Sequence, residues 1–181
     1  MSETNPWRLI ASREIYDNPW IRVREDQVIN PGGGKSLYGC VSFKNQAVGV
    51  IPLDDAGNTW LVGQYRYTLD AYSWEIPTGG SPPGEEVLET ARRELREETG
   101  LSASRWNLFL QLHLSNSVTD EQACVFVAEG LTEGNTSFEE TEQLTVRKLA
   151  VPDAVDMVLR GEITDAISVA GLLKLACFKA R

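Results

Sequence analysis

At 181 residues the chain has room for one domain with a real core and a small appendage. Its 26 acidic and 17 basic residues give a net charge of -9, and no dense basic run occurs, which argues against a nucleic-acid backbone or an anionic membrane as the main partner. A phosphorylated small molecule stays open, because a divalent metal reverses the local sign of charge. Cys40, Cys124 and Cys177 are unpatterned and sit in apolar runs, as reduced core thiols do. The N-terminal MSETNPWRLI has no charged start followed by an apolar stretch, and no run approaches the length of a membrane span, so a cytoplasmic protein is expected.

Short alternating runs predict strands over residues 8–16, 20–29 and 36–43, broken by Asp17-Asn18-Pro19 and Asn30-Pro31-Gly32-Gly33-Gly34. A ribbon of three strands is marginal alone. It must pack on the following domain or on a second copy of the chain, and Trp7 and Trp20 could anchor such a contact. The run Gly32-Gly33-Gly34-Lys35-Ser36 reads as a hairpin turn and not as a phosphate loop. Ile29 stands where that loop needs its first glycine, and the chain continues as LYGCVSF where a helix is required.

Residues 46–53 and 59–67 predict two strands around Asp54-Asp55-Ala56-Gly57-Asn58, a hairpin signal. Residues 73–77 form a short strand leading into Gly79. Pro82, Pro83 and Gly84 make a loop and Gly100 a helix stop, which leaves about four helical turns between them with Val87, Leu88, Ala91 and Leu95 on one apolar face. Strands over 106–114, 123–129 and 144–149 follow, with the polar stretch 115–121 between the first two. Helices are predicted over 153–160, opening after Pro152 and stopping at Gly161, and over 164–178. A mixed sheet with helices on both sides results.

The charges of the central helix need a cause. Glu94, Glu97 and Glu98 crowd one side of its last two turns. They repel one another, and acids at the carboxyl end also oppose the helix dipole, at roughly 0.3–1 kcal/mol each. Arg93 can meet Glu97 across one turn and relieve part of this. Two readings of the rest stand side by side: a solvated face built from strong helix formers, or a hard divalent cation, Mg²⁺ first, among the carboxylates.

The wider spacing separates them. Gly79, five residues, Glu85, seven residues, then Arg93-Glu94-Leu95-Arg96-Glu97-Glu98-Thr99-Gly100-Leu101 matches every fixed position of the signature of the Nudix hydrolases, which the chain therefore resembles. The resemblance implies an α+β fold, an α/β/α sandwich of mixed β-sheet with flanking helices, joined to a small N-terminal antiparallel β ribbon. It also implies a loop–helix–loop that binds Mg²⁺ or Mn²⁺ and cleaves a nucleoside diphosphate linked to another group. Glu94 and Glu98 are then the expected metal ligands, Glu97 is a further candidate, and the Thr78 carbonyl supplies another oxygen. Arg93 holds Glu97 in place. Glu85 lies near 20 Å along the helix axis from Glu98, so its expected role is bracing the loop.

In the relatives that cleave ADP-ribose, a glutamate on a loop before a late strand activates the water. Glu142 and Glu140, in the polar run 134–142, are the candidates here in no set order, against the alternative of a solvated acidic loop. Arg66, within Gln64-Tyr65-Arg66-Tyr67, occupies a position whose counterpart contacts a phosphate, a task suited to a forked guanidinium; the alternative is a strand-surface arginine. Trp74 and Glu75 recur in the ADP-ribose group, and Glu121 stands where that group has an acid on the substrate side. His113, inside a strand, reads as structural.

The resemblance runs from about Val48 to Lys174 and more loosely through the ribbon. It implies a ribbon and dimerisation domain over 1–44, a catalytic domain over 45–181, and a homodimer in which the ribbon completes the neighbour's site. Where ADP-ribose hydrolases usually carry Ser-Pro-Gly, this chain has Ser115-Asn116-Ser117, which leaves the sugar open among ADP-ribose, ADP-glucose and GDP-mannose types. The expected reaction is Mg²⁺-dependent hydrolysis of a nucleoside diphosphate sugar to a nucleoside monophosphate and a sugar phosphate. Two rivals stand: a dinucleoside polyphosphate or nucleoside triphosphate hydrolase, which usually lacks the ribbon, and a nucleotide-sugar-binding regulator without turnover, which commonly loses a signature glutamate.

Overall fold

A computed structural model of the chain describes residues 4–136 and 143–179. The contacts divide the chain into two units, Met1–Asn45 with His113–Glu121, and Gln46–Leu112 with Gln122–Arg181.

In the first unit, β1 (Arg8–Asp17), β2 (Ile21–Ile29) and β3 (Lys35–Phe43) form an antiparallel sheet in that order. The two turns are made by asparagine side chains that replace backbone partners. Asn18 Oδ1 accepts from the amides of Trp20 and Ile21 at 2.9 and 2.7 Å, and Asn30 Oδ1 from those of Gly32 and Gly34 at 3.1 and 3.0 Å. Gly33 takes φ 85°, which a hairpin turn needs. Segment 113–121 lies along β3: the Val41 amide donates to Val118 O at 2.9 Å, Tyr38 Oη to Ser117 O at 2.6 Å and the Phe43 amide to Asp120 Oδ1 at 3.1 Å. Asp26 is buried, and the bond it accepts from Ser12 at 2.6 Å, helped by Arg24, holds it below the usual carboxylate range. The strand β1 is exposed along its whole length, with Leu9, Ile10, Ile15 and Tyr16 among its exposed apolar residues.

The second unit contains β4 (Gln46–Pro52), β5 (Asn58–Arg66), β6 (Ala71–Glu75), β7 (Thr78–Ser81), α1 (Val87–Thr99), most of β8 (Leu101–His113), β9 (Gln122–Glu133), β10 (Thr145–Ala150), α2 (Val151–Leu159) and α3 (Ala166–Lys179). The expected mixed sheet is two sheets, in the orders β7-β4-β9-β8 and β10-β5-β6. The first is mixed, since β4 runs antiparallel to β7 and parallel to β9. The α+β class holds. A four-residue strand, Thr-Gly-Gly-Ser, carries no hydrophobic pattern of its own, and β7 exists because it pairs with β4 at Val48↔Gly79. The start of β8 follows the C-cap Gly100 directly.

Val48 and Val50 of β4, Ala91 and Leu95 of α1, and Cys124 and Phe126 of β9 share one apolar cluster. Gly49 faces the other side of β4, where a Cβ would lie 2.9 Å from Ile76 Cδ1 and 3.0 Å from Ile167 Cγ2 and would force these side chains to shift. The helix α1 stops at Gly100, whose φ of 73° is costly for any residue with a Cβ and whose amide bonds to Arg96 O. Burial of Cys124 pushes its thiol pKa up. All three cysteines are free, but Cys177 is exposed, so the core-thiol reading fails for it. Among the described residues no helix is long and apolar enough to cross a membrane.

Candidate active site

Five consecutive residues, Glu75 to Gly79, are held by four elements of the second unit, β5, α3, β4 and α1. Glu75 ends β6 and is buried; both its carboxylate oxygens accept from Arg66 of β5, the Nε contact at 2.9 Å. The Ile76 amide donates to Ser168 Oγ of α3 at 2.9 Å. Pro77 O accepts from the Val50 amide of β4 at 2.9 Å. The Thr78 amide donates to Glu98 Oε2 of α1, also at 2.9 Å. Finally, Gly79 lies so close to Glu94 that a Cβ would fall 1.9 Å from its carboxylate.

Glu94 and Glu98 therefore share the inner face of α1 against β7, at 8% and 1% exposure. This follows from the four-residue spacing on the helix together with the absence of a side chain at Gly79. Glu97 lies to the side and is joined to Glu94 by Arg93, which donates to Glu94 Oε1 at 2.7 Å, Glu97 Oε2 at 3.1 Å and Gly80 O at 3.3 Å. Arg93 Nε also stands 3.6 Å from Glu85. Burial works against the charge on Arg93, but Glu94, Glu97 and Glu85 outweigh it and hold the guanidinium above its usual pKa. The repulsion expected among three glutamates is thus relieved in part by an arginine. Glu85 reaches the same arginine from the loop before α1, where its own carbonyl accepts from Ser81 Oγ at 3.2 Å.

Among the described residues no three of His, Cys, Asp and Glu converge closely enough to cage a metal ion. The donor chemistry still fits a hard divalent cation: Mg²⁺ keeps several waters and is commonly held by one or two carboxylates together with substrate phosphates. Two buried carboxylates gathered against Thr78 and Gly79 supply that minimum. Glu97, which shares Arg93 with Glu94, stands beside them.

Arg66 and Glu75 come together as a fork, with Arg66 partly open to solvent and Glu75 closed off. The guanidinium is more basic than usual because of its hydrogen bond to Glu75 above all, with further contributions from the charges of Glu75, Glu98 and Asp165. Two of its five donors go to Glu75, leaving the others for an anion. Trp74 is half-buried on β6, 5.7 Å from the Tyr72 ring, with the Arg147 guanidinium 5.9 Å from its own ring centre. Glu121 belongs to the first unit, at the end of the segment along β3. His113 is exposed at the end of β8. Glu140 and Glu142 lie outside the described residues.

Ser168 and Asp165 escaped the sequence reading. Asp165 and Ser168 have the spacing of a helix cap, and the Ser168 amide does donate to Asp165 Oδ2 at 2.8 Å. Nothing local marks the second bond, from a backbone amide 92 residues away in sequence.

The NUDIX domain family matches residues 44–166, and the nucleoside diphosphate sugar hydrolase N-terminal domain matches residues 7–41. The chain is 37% identical over 171 residues to the ADP-ribose pyrophosphatase of Mycobacterium tuberculosis, covering 91% of this chain and 80% of that protein. It is 33% identical over 161 residues to the ADP-ribose pyrophosphatase of Bacillus subtilis, covering 88% and 86%. A crystal structure of an ADP compounds hydrolase shares the fold with a TM-score of 0.87 at 20% identity, over 98% of this chain and 96% of that one. With the signature residues gathered around β7 and α1, the match across most of the chain shows that it belongs to the Nudix family and is a Nudix hydrolase.

Proposed function

We propose that the protein hydrolyses the pyrophosphate bond of nucleoside diphosphate sugars, ADP-ribose first, with Mg²⁺ or alternatively Mn²⁺ as cofactor. The observation that carries this reading is the pair of buried carboxylates, Glu94 and Glu98, held against consecutive backbone positions of β7. The names of the two relatives above support ADP-ribose as the first substrate to test.

A divalent cation bound there would neutralise phosphate oxygens and make a water more acidic. Glu94 and Glu98 would hold it, with the Thr78 carbonyl and Glu97. Arg93 keeps Glu94 and Glu97 in register. Arg66, fixed by Glu75, offers its remaining donors to a phosphate, while Trp74 contacts the rest of the substrate. Glu142 or Glu140 takes the proton of the attacking water. A bond forms between that water oxygen and one phosphorus, and the bridging P–O bond breaks to release a nucleoside monophosphate and a sugar phosphate.

The ribbon acts as the dimerisation domain and residues 45–181 as the catalytic domain, in a cytoplasmic homodimer. The exposed apolar residues of β1 support a second copy as the ribbon's partner.

A screen of ADP-ribose, ADP-glucose, GDP-mannose and UDP-glucose with Mg²⁺ or Mn²⁺, reading phosphate after phosphatase coupling, tests the proposal. ADP-ribose should turn over fastest and activity should vanish with chelator. Glu98→Gln can still accept the Thr78 amide but loses the charge, so it should fold normally and lose at least about 100-fold in kcat. No turnover of any of the four, or near-normal activity of Glu98→Gln, would overturn the reading.

A further inference from the structure

We propose that Ser168 is a positioning residue for the metal-binding backbone of β7, and that Asp165 sets the direction of its hydroxyl. The inference rests on the reading above, in which Glu98 and Thr78 hold a divalent cation. Ser168 is fully buried in the first turn of α3. Its Oγ donates to Asp165 Oδ2 at 2.7 Å and accepts from the Ile76 amide at 2.9 Å. A hydroxyl has a single proton, and an ionised carboxylate has none to return. The Ser168 proton is thereby committed to Asp165, and its lone pairs face Ile76. The same Asp165 oxygen also accepts the Ser168 amide, so the cap that starts α3 fixes the rotamer of Ser168.

The place of the bond gives it a consequence beyond packing. The strand β6 ends at Glu75 and β7 begins at Thr78, so Ile76 and Pro77 form a two-residue gap between strands. Pro77 has no amide proton. Ile76 therefore supplies the gap's one backbone donor, and Ser168 receives it. The next donor, Thr78, goes to Glu98. Two helices thus hold successive amides of one short stretch, α3 from one side of Pro77 and α1 from the other. The Ile76 side chain, fully buried and packed where Gly49 leaves room, adds no freedom of its own. Without Ser168 the Ile76 amide loses its partner; Glu75 keeps its pairing with Val62 and Arg66, and Pro77 O keeps the Val50 amide, so the Thr78–Glu98 contact loses one of the tethers that register it. Partners behind metal ligands commonly have this effect on affinity.

The test uses the whole 181-residue chain without substrate. Mn²⁺ binding is followed by electron paramagnetic resonance, and amide exchange at Ile76 and Thr78 by NMR, for wild type, Ser168→Ala and Ser168→Cys. Thr59→Val serves as control, since Thr59 is an equally buried hydroxyl on β5. Ser168→Ala should bind Mn²⁺ about 10-fold more weakly and exchange faster at both amides. Ser168→Cys, similar in size with a weak acceptor, should fall between, and it carries the test if the alanine variant does not fold. Thr59→Val should match wild type. Wild-type affinity in the folded Ser168 variants, or an equal loss in Thr59→Val, would overturn the inference. If the wild-type protein binds no Mn²⁺, the metal reading fails by itself, and exchange at Ile76 and Thr78 as slow in the variants as in wild type overturns the tether separately.

Discussion

The carboxylate of Glu94 occupies the space where a side chain on Gly79 would begin, with its Oε1 1.9 Å from an ideally placed Cβ. Glycine at this position is therefore a demand of the acid facing it. Gly79→Ala should push the Glu94 carboxylate aside, because a flexible side chain yields before a paired strand does. The expected outcome is a loss of about 1–3 kcal/mol in stability, as for other overpacked sites, but at least about a 10-fold loss in Mn²⁺ affinity. Calorimetric titration beside thermal melts separates the two, and unchanged metal affinity would show that Glu94 is no ligand.

Arg66 and Glu75 should behave as a unit. Removing Arg66 strands a carboxylate that is 4% exposed, whereas removing both charges does not. Arg66→Ala is expected to cost about 1–3 kcal/mol, and Arg66→Ala with Glu75→Gln less than the single change. Arg66→Lys, which cannot reproduce the fork, should raise KM for ADP-ribose more than it lowers kcat. A double-mutant cycle in urea shows the coupling, and additive losses would mean the two act independently.

Of Glu140 and Glu142, one should matter far more than the other. Glu142→Gln and Glu140→Gln, made separately, are expected to differ by about 100-fold in kcat, within the usual range for a general base. The damaging variant should also lose the acidic limb of the pH–rate profile. Full activity in both would place the base elsewhere.

Stability should carry a signature of Asp54. Its carboxylate accepts the Asn58 side chain and amide, at 2.9 and 2.7 Å, and Lys148 Nζ at 2.9 Å. These bonds, that from the Asn58 side chain foremost, hold its pKa below the ordinary Asp value. A depressed folded pKa stabilises the protein above the unfolded value near 3.9 and loses that contribution as pH falls further. Asp54→Asn should therefore be about 1 kcal/mol less stable at pH 7, with the gap closing below about pH 3. Urea melts at several pH values check this; a constant gap would assign the loss to geometry and not to charge.

How much of this was legible depended on range. The helix α1 could be read because its apolar spacing and its stop at Gly100 are local, and the contact between Arg93 and Glu97 follows from helical geometry alone. The turns at Asn18, Asn30 and Asp54 announce themselves through their own side chains. By contrast β7 has no hydrophobic pattern, and the split into two sheets depends on pairings such as Val48↔Cys124 between distant strands. Arg93 as bridge between Glu94 and Glu97, and Ser168 as acceptor for Ile76, likewise depend on what the fold brings near. The exposure of Cys177 went unread because an apolar helix at the chain's end looks the same whether or not its last turn is covered.

If the proposed site is correct, the stretch from Glu75 to Gly79 should make turnover a sensitive reporter of the second unit's integrity. Its moorings come from β5, β4, α1 and α3, so fraying of α3 or slippage of β5 would reach the reactive centre without touching a substrate contact. Screens for destabilised variants could thus read residual hydrolysis at elevated temperature, and losses should register there before the unit as a whole melts.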